Sequence, residues 1–119
     1  MYELKFTIEN KHDNYLYRFF QNIDNKAYYW KIETGDIYWN KGIPFFTKFV
    51  YNNDDFFKTI KNKIYYMIFV DIVIEDDLKN EILRLEVIDC IFVKIICNNK
   101  HLFDQIIRNL EKEDIIKNK

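Results

Sequence analysis

The 119-residue chain contains no serine, a single alanine (Ala27), a single proline (Pro44) and only two glycines, Gly35 and Gly42. Without serine there is no serine nucleophile, so serine hydrolases are excluded. Two isolated glycines cannot build the loop that cradles a phosphate. The two cysteines, Cys90 and Cys97, stand seven residues apart. On or beside one extended strand they are too distant to bridge, and odd spacing sends them to opposite faces. Neither a CxxC nor a Cys/His spacing suggests zinc, and Cys97 reads as a small core residue. Long apolar runs are missing too: the longest uncharged one, Ile64 to Val70, is far too short to span a bilayer. The start, Met1-Tyr2-Glu3-Leu4-Lys5, lacks the basic-then-apolar order of a signal peptide. No membrane association is expected, and the expected location is cytoplasmic.

Charge of one sign is also lacking. Eighteen basic and 19 acidic residues leave a net charge of −1. Arg18, Arg84 and Arg108 are the only arginines, and lysine lacks the planar fork that reads phosphates and guanines. Both facts argue against direct nucleic-acid binding.

What is present is apolar and aromatic. Hydrophobic residues make up 49% and charged residues 31%, the balance of a globular chain. The length suits one domain, 1–119, with a real core and a charged, frayed tail over 112–119. Scarce Ala and Gly beside abundant Ile, Asn and Lys suggest an AT-rich genome, as in a low-GC bacterium or its phages. Such a bias also inflates Tyr and Phe.

Local patterns give the elements. Tyr2 to Glu9 alternates as a half-buried strand. Asp13 offers an N-cap to a helix with Leu16, Phe19, Phe20 and Ile23 on one stripe. Tyr28–Glu33 and Asp36–Asn40 read as a hairpin, with Gly35 supplying positive φ at the turn. Phe45 to Tyr51 fits either a short helix or a loop carrying buried rings. Asn53 reads as the cap of a helix with Asp54 and Asp55 in its first turn and Phe56, Phe57 and Ile60 inward. Ile64 to Ile74 reads as a central strand covered on both faces. Leu78 to Asp89 fits a helix or a strand, and a strand from about Ile82 is preferred. A tight turn near Asp89 leads to a strand over Ile91 to Cys97. The last helix carries Leu102, Phe103, Ile106, Ile107 and Leu110. The order β-α-β-β-α-β-β-β-α, with short links, predicts an α+β domain: a mostly antiparallel sheet of five to six strands with two to three helices on one face.

No residue set is assigned to catalysis, to a cofactor or to a metal. His12 and His101 stand beside helix starts and read as solvated or capping. A Cys90 or Cys97 nucleophile paired with His101 has nothing to position it. Asp54-Asp55 and Glu75-Asp76-Asp77 lack the spacing of a calcium loop and read as solvated faces. Asp71 interrupts an apolar strand, so it is either where that strand becomes exposed or a buried carboxylate needing a partner.

Aromatics remain: nine Tyr, eleven Phe and two Trp. Alternation puts Tyr28, Trp30 and Ile32 on one face and Tyr29 on the other. The ordinary reading is core plus cross-strand aromatic pairing. The functional reading is a partner-binding surface of Tyr29, Tyr38, Trp39 and Tyr51, with Glu75, Asp76 and Asp77 as its acidic part.

Several segments resemble an uncharacterised bacterial family, domain of unknown function 2691. They are Asn14-Tyr15-Leu16-Tyr17 through Asn22-Ile23-Asp24, Tyr29-Trp30-Lys31-Ile32, Asp36-Ile37-Tyr38, Tyr65-Tyr66-Met67-Ile68-Phe69, and Ile91-Phe92-Val93-Lys94-Ile95-Ile96-Cys97. Between Ile74 and Ile82 the chain is shorter than the family pattern. The resemblance implies an α+β fold and no established enzyme activity.

The expected function is therefore a small, non-enzymatic protein-binding module, an inhibitor of a macromolecular partner. By analogy with other small single-domain chains, phage anti-defence proteins such as anti-CRISPRs and toxin-immunity proteins fit this profile. One alternative is a small-molecule-binding or enzymatic domain with a Tyr/Trp-lined pocket anchored by Asp71. The other is a homo-oligomer that pairs its aromatic face.

Overall fold

Three strands with a strict two-residue period form the middle and one edge of the sheet. In the computed structural model, which describes residues 1–117, these are β1 (Tyr2–Thr7), β5 (Glu81–Ile88) and β6 (Phe92–Cys97). The remaining elements are α1 (Tyr15–Phe20), β2 (Tyr29–Tyr38), β3 (Val50–Asn52), α2 (Asn53–Ile60), β4 (Tyr66–Glu75) and α3 (Lys100–Lys112). The six strands form one sheet in the order β1-β6-β5-β4-β2-β3, with every neighbour antiparallel. The expected α+β class and element order are both found.

Alternation decides which face is covered. Leu83, Leu85 and Val87 of β5 lie in register with Cys97, Ile95 and Val93 of β6, and all are buried. Ile72 and Ile74 of β4 continue that face to Ile32 and Trp30 of β2. Against it pack Leu16, Phe19 and Phe20 of α1, Phe56 and Ile60 of α2, and Leu102, Ile106 and Leu110 of α3. Trp30 stacks on Phe56 at 3.9 Å between ring centres. Among the described residues, no helix covers the opposite face of the sheet.

Helix α1 has only six residues, too few to persist without tertiary support. Its N-cap Asn14 makes no side-chain capping bond. The hydroxyl of Tyr65 instead accepts the Leu16 N–H at 2.8 Å, from 49 residues away. At the other end, the buried Asn109 amide of α3 donates to the Phe19 and Gln21 carbonyls at 2.9 and 2.8 Å. Arg18 adds ion pairs to Asp13 and to Glu113, at 2.6 and 2.9 Å. Asp13 thus serves as an ion-pair partner and not as the expected cap.

Four further expectations need correction. The hairpin at Thr34-Gly35 is not formed: β2 runs straight through it, with a register shift between Ile32 and Thr34. Gly35 is needed for space, because a Cβ there would sit 2.8 Å from Cδ2 of Phe46. The positive-φ glycine is Gly42, at +80°. The second strand of that region is β3, entered from a loop that buries Phe45. Next, Asn52 caps α2 by accepting the Asp55 N–H at 2.8 Å. Asn53 is buried instead, accepting from Trp30 Nε1 at 2.9 Å and donating to the Ile23 carbonyl at 3.2 Å. Third, β4 is covered on one face only. Its outward Val73 is buried because Lys31 and Arg84 flank it in the register. Finally, the tail expected to fray over 112–119 is tied back through 116. Asp114 takes φ +57°, and the Ile115 and Asp114 amides bond the Leu110 and Glu111 carbonyls, the αL closure of a helix end. Positions 118 and 119 lie outside the described residues.

Candidate protein-docking face

The uncovered face of the sheet is a charged band between an apolar end and an end that joins an exposed tyrosine to an acidic turn. In the band, Arg84 holds Asp71 at 2.7 Å and Glu81 at 3.1 Å, Lys31 reaches Glu75 at 3.4 Å, and Lys94 reaches Glu3 at 3.5 Å. Asp71 therefore lies on the exposed side of its strand, half-buried and partnered. The groove beside it, about 260 Å³, is lined by Thr34, Phe69, Val70, Glu86, Val87 and Ile88 and by no Tyr or Trp.

The apolar end lies at the β5–β6 turn. Val70 pairs with Val87 and Ile88 with Phe92, so Phe69, Ile88 and Phe92 form one row across three strands. They are 43, 46 and 52% exposed, which is high for neighbouring large apolar side chains. A groove of about 470 Å³ lies beside Ile88 and Phe92 and is bordered by Lys5, Lys94 and Glu86. Farther along the same end, Tyr38 pairs with Tyr66, and the His12 ring lies 5.4 Å from Tyr66. Tyr38 is 55% exposed. A hydrogen bond with Cys90 pushes the Tyr66 hydroxyl up.

The other end gathers four of the expected residues. Tyr29, exposed on β2, pairs in register with Glu75, and the chain turns at once through Asp76 and Asp77. Together with Lys31, Val50 and Lys79 they line a groove of about 430 Å³. Asp76 accepts from the Leu78 and Asn80 amides, each at 2.9 Å. The Asn80 bonds above all hold its carboxyl below the usual range, so it stays ionised. Asp77 is exposed.

Two expected residues fall away from this face. Tyr51 is only 3% exposed, and its hydroxyl accepts the Thr47 and Lys48 amides at 2.8 and 3.1 Å. It pairs with Trp30 across β2–β3, and that register turns its ring into the core. Tyr51 is therefore a structural residue and not part of an exposed surface. Trp39 is half-buried, edge-on to Phe45 at 5.9 Å, with Lys63 Nζ 4.8 Å over its ring. Both histidines are exposed, and the cap of α3 is Asn99, which accepts the Leu102 N–H at 2.9 Å.

The residues that sequence reasoning missed are Phe69, Ile88 and Phe92. A signal was present. Ile88 falls in the polar phase of β5 with Arg84 and Glu86, and Phe92 in that of β6 with Lys94. An apolar residue in the polar phase beside a turn is an outward one. Phe69 was hidden by the continuous apolar run of β4.

Among the described residues no cluster of His, Cys, Asp and Glu is arranged to hold a metal ion. No helix among them is long and apolar enough to cross a membrane. No curated protein and no solved structure matches the chain. Residues 1–81 match the family described as "Protein of unknown function (DUF2691)". That span takes in β1 through β4, and with it Tyr29, Tyr38 and the acidic turn; the chain belongs to the DUF2691 family.

Proposed function

We propose that this protein is a non-enzymatic binding module that docks a protein partner on the open face of its sheet and inhibits that partner by occlusion, in the cytoplasm. The observation that supports this reading most is the row Phe69–Ile88–Phe92, exposed on paired strands with no helix or strand of the described residues above it. A sheet face that served only as a solvated exterior would continue the charged band to its ends. Aromatic and aliphatic anchors held by backbone pairing lose little entropy on binding. The second end gives the partner its chemistry. Tyr29 beside Asp76 and Asp77 suits a lysine or arginine, which gains the ring face and the carboxylates together. The partner surface is thus apolar at one end and basic at the other.

The test is affinity capture from lysates of low-GC bacteria, with variants as internal controls. Wild-type bait should recover one partner in stoichiometric amount. Phe92→Ser and Tyr29→Ala should each weaken capture by about thirtyfold, as for hot-spot residues. Lys58→Ala, on the solvent side of α2, should leave it unchanged. A wild-type bait that retains nothing, or a partner lost equally with Lys58→Ala, refutes the proposal.

A further inference from the structure

We propose that β1 is a self-association edge: two copies join β1 to β1, antiparallel, about a two-fold axis through Leu4. This goes beyond the docking role proposed above, because it uses the rim of the sheet and leaves the open face free.

The two rims of the sheet differ. At one, β3 has three residues and runs directly into α2, so it offers little backbone to pair. At the other, β1 has six residues and keeps unbroken register with β6 from Tyr2–Cys97 to Thr7–Phe92. No proline, bulge or covering strand blunts it among the described residues, although exposed edges ordinarily carry such protection. The backbone parity of this edge is fixed. The Ile8 N–H bonds the Ile91 carbonyl at 2.9 Å, so even-numbered residues bond inward to β6. The N–H and C=O groups of Glu3, Lys5 and Thr7 therefore point outward.

A two-fold partner must match odd residues to odd residues, which leaves three registers that use this strand. Placing the axis at Glu3 sets Glu3 against its own copy. Placing it at Lys5 sets Lys5 against its own copy. Both oppose like charges across strands, which is unfavourable. Placing it at Leu4 sets each Glu3 opposite a Lys5, in two opposite-charge pairs. The same register puts Leu4 beside Leu4 and Tyr2 beside Phe6 on the helix-covered face. Those three side chains are exposed or only half-buried at the rim of the core and would gain cover. Aromatic, acid, leucine, base, aromatic is thus a segment chemically complementary to its own reversal. The ion contacts that Glu3 makes now are loose, at 3.5 Å to Lys94 and 3.9 Å to Lys5, so little is lost on re-pairing.

Sedimentation equilibrium over about 1–200 µM, the range a small interface requires, tests this. Wild type should reach a dimer mass. Lys5→Glu should weaken dimerisation about tenfold or more, and the swap Glu3→Lys with Lys5→Glu should restore it. On a Cys90→Ala background, Leu4→Cys should form a disulfide-linked dimer on oxidation. The axis makes Leu4 a non-hydrogen-bonded pair about 4.5 Å apart, within bridging reach. This arm decides the matter if Lys5→Glu does not fold. A wild-type monomer throughout the range, a dimer indifferent to Lys5→Glu, a swap that fails to restore it, or a Leu4→Cys variant that does not cross-link overturns the proposal.

Discussion

Tyr65→Phe removes one oxygen and leaves the packing of a fully buried ring in place. That oxygen is the acceptor for the Leu16 N–H, in the first turn of a helix whose own cap residue contributes no side-chain bond. Losing a helix cap costs about 0.5–2 kcal/mol, and stranding a buried N–H costs about 1–3 kcal/mol. The two describe the same bond, so the expected loss is about 2 kcal/mol. With the ordinary entropy of unfolding per residue, that lowers Tm by about 8 °C. Urea unfolding followed by fluorescence of the buried Trp30 reads it directly. The pH dependence gives a second arm. Burial pushes the Tyr65 hydroxyl far above its ordinary value, against the opposing bonds from the Leu16 and Tyr17 amides. A group whose pKa is raised on folding contributes stability that is complete below its unfolded value, about 10, and lost as pH rises beyond it. Between pH 10 and 11.5 wild type should therefore lose stability faster than Tyr65→Phe, at a rate that rises toward about 1.4 kcal/mol per pH unit. A cost below about 0.5 kcal/mol, with parallel alkaline slopes, would refute the assignment of Tyr65 as the cap of α1.

Asn53→Ala strands two buried groups, Trp30 Nε1 and the Ile23 carbonyl, and should cost about 3 kcal/mol by chemical denaturation. Gly42→Ala should cost about 1 kcal/mol from backbone strain alone, since φ is +80° and nothing lies within 4 Å of an added Cβ. Gly35→Ala should cost more, because its methyl meets the Phe46 ring, and paired substitution with Phe46→Leu should recover part of the loss. Burial opposes ionisation of Glu113, but hydrogen bonds from Gln21 and Arg18 and the Arg18 charge prevail and hold its carboxyl below the usual range. The stability it supplies is full above the unfolded value and lost as pH falls below about 4.5. Glu113→Gln should flatten acid unfolding in that window, and an unchanged profile would count against the α1–α3 linkage.

Elements whose period matched their burial were legible in the residues. Alternation from Leu83 to Val87 favours the strand reading of a segment that also fits a helix, and β5 is a strand; α3 shows a clean stripe and is the expected last helix. Errors arose where one residue served two chemistries. A glycine between β-rich runs signals a turn, yet Gly35 answers to a ring 11 residues later in the chain. Asn52 and Asn53 are chemically equal caps, and only the position of Trp30 separates them. Tyr51 resembles Tyr29 in sequence context, and the three-residue pairing of β3 turns one inward and leaves the other out. Part of the candidate face was legible: alternation placed Tyr29 outward and the acidic turn near the surface. That these meet in one groove depends on the β2–β4 register, and the Phe69–Ile88–Phe92 row depends on three strands aligning. Neither is a local property.

The pairing of β1 with β6 also sets an order of events during synthesis. β1 is made first, yet its partner is complete only at Cys97, and β6 lies beyond the residues 1–81 matched to the family. At ordinary elongation rates the first strand waits roughly 5–20 seconds for its partner to be translated. Throughout that interval both of its edges are open, and α1 lacks the Asn109 and Glu113 contacts that arrive later still. The nascent chain therefore cannot set β1 in the sheet until β6 has emerged, and α3 follows both. A ribosome stalled before residue 97 would present Tyr2, Leu4 and Phe6 unpaired to whatever chaperone stands at the exit.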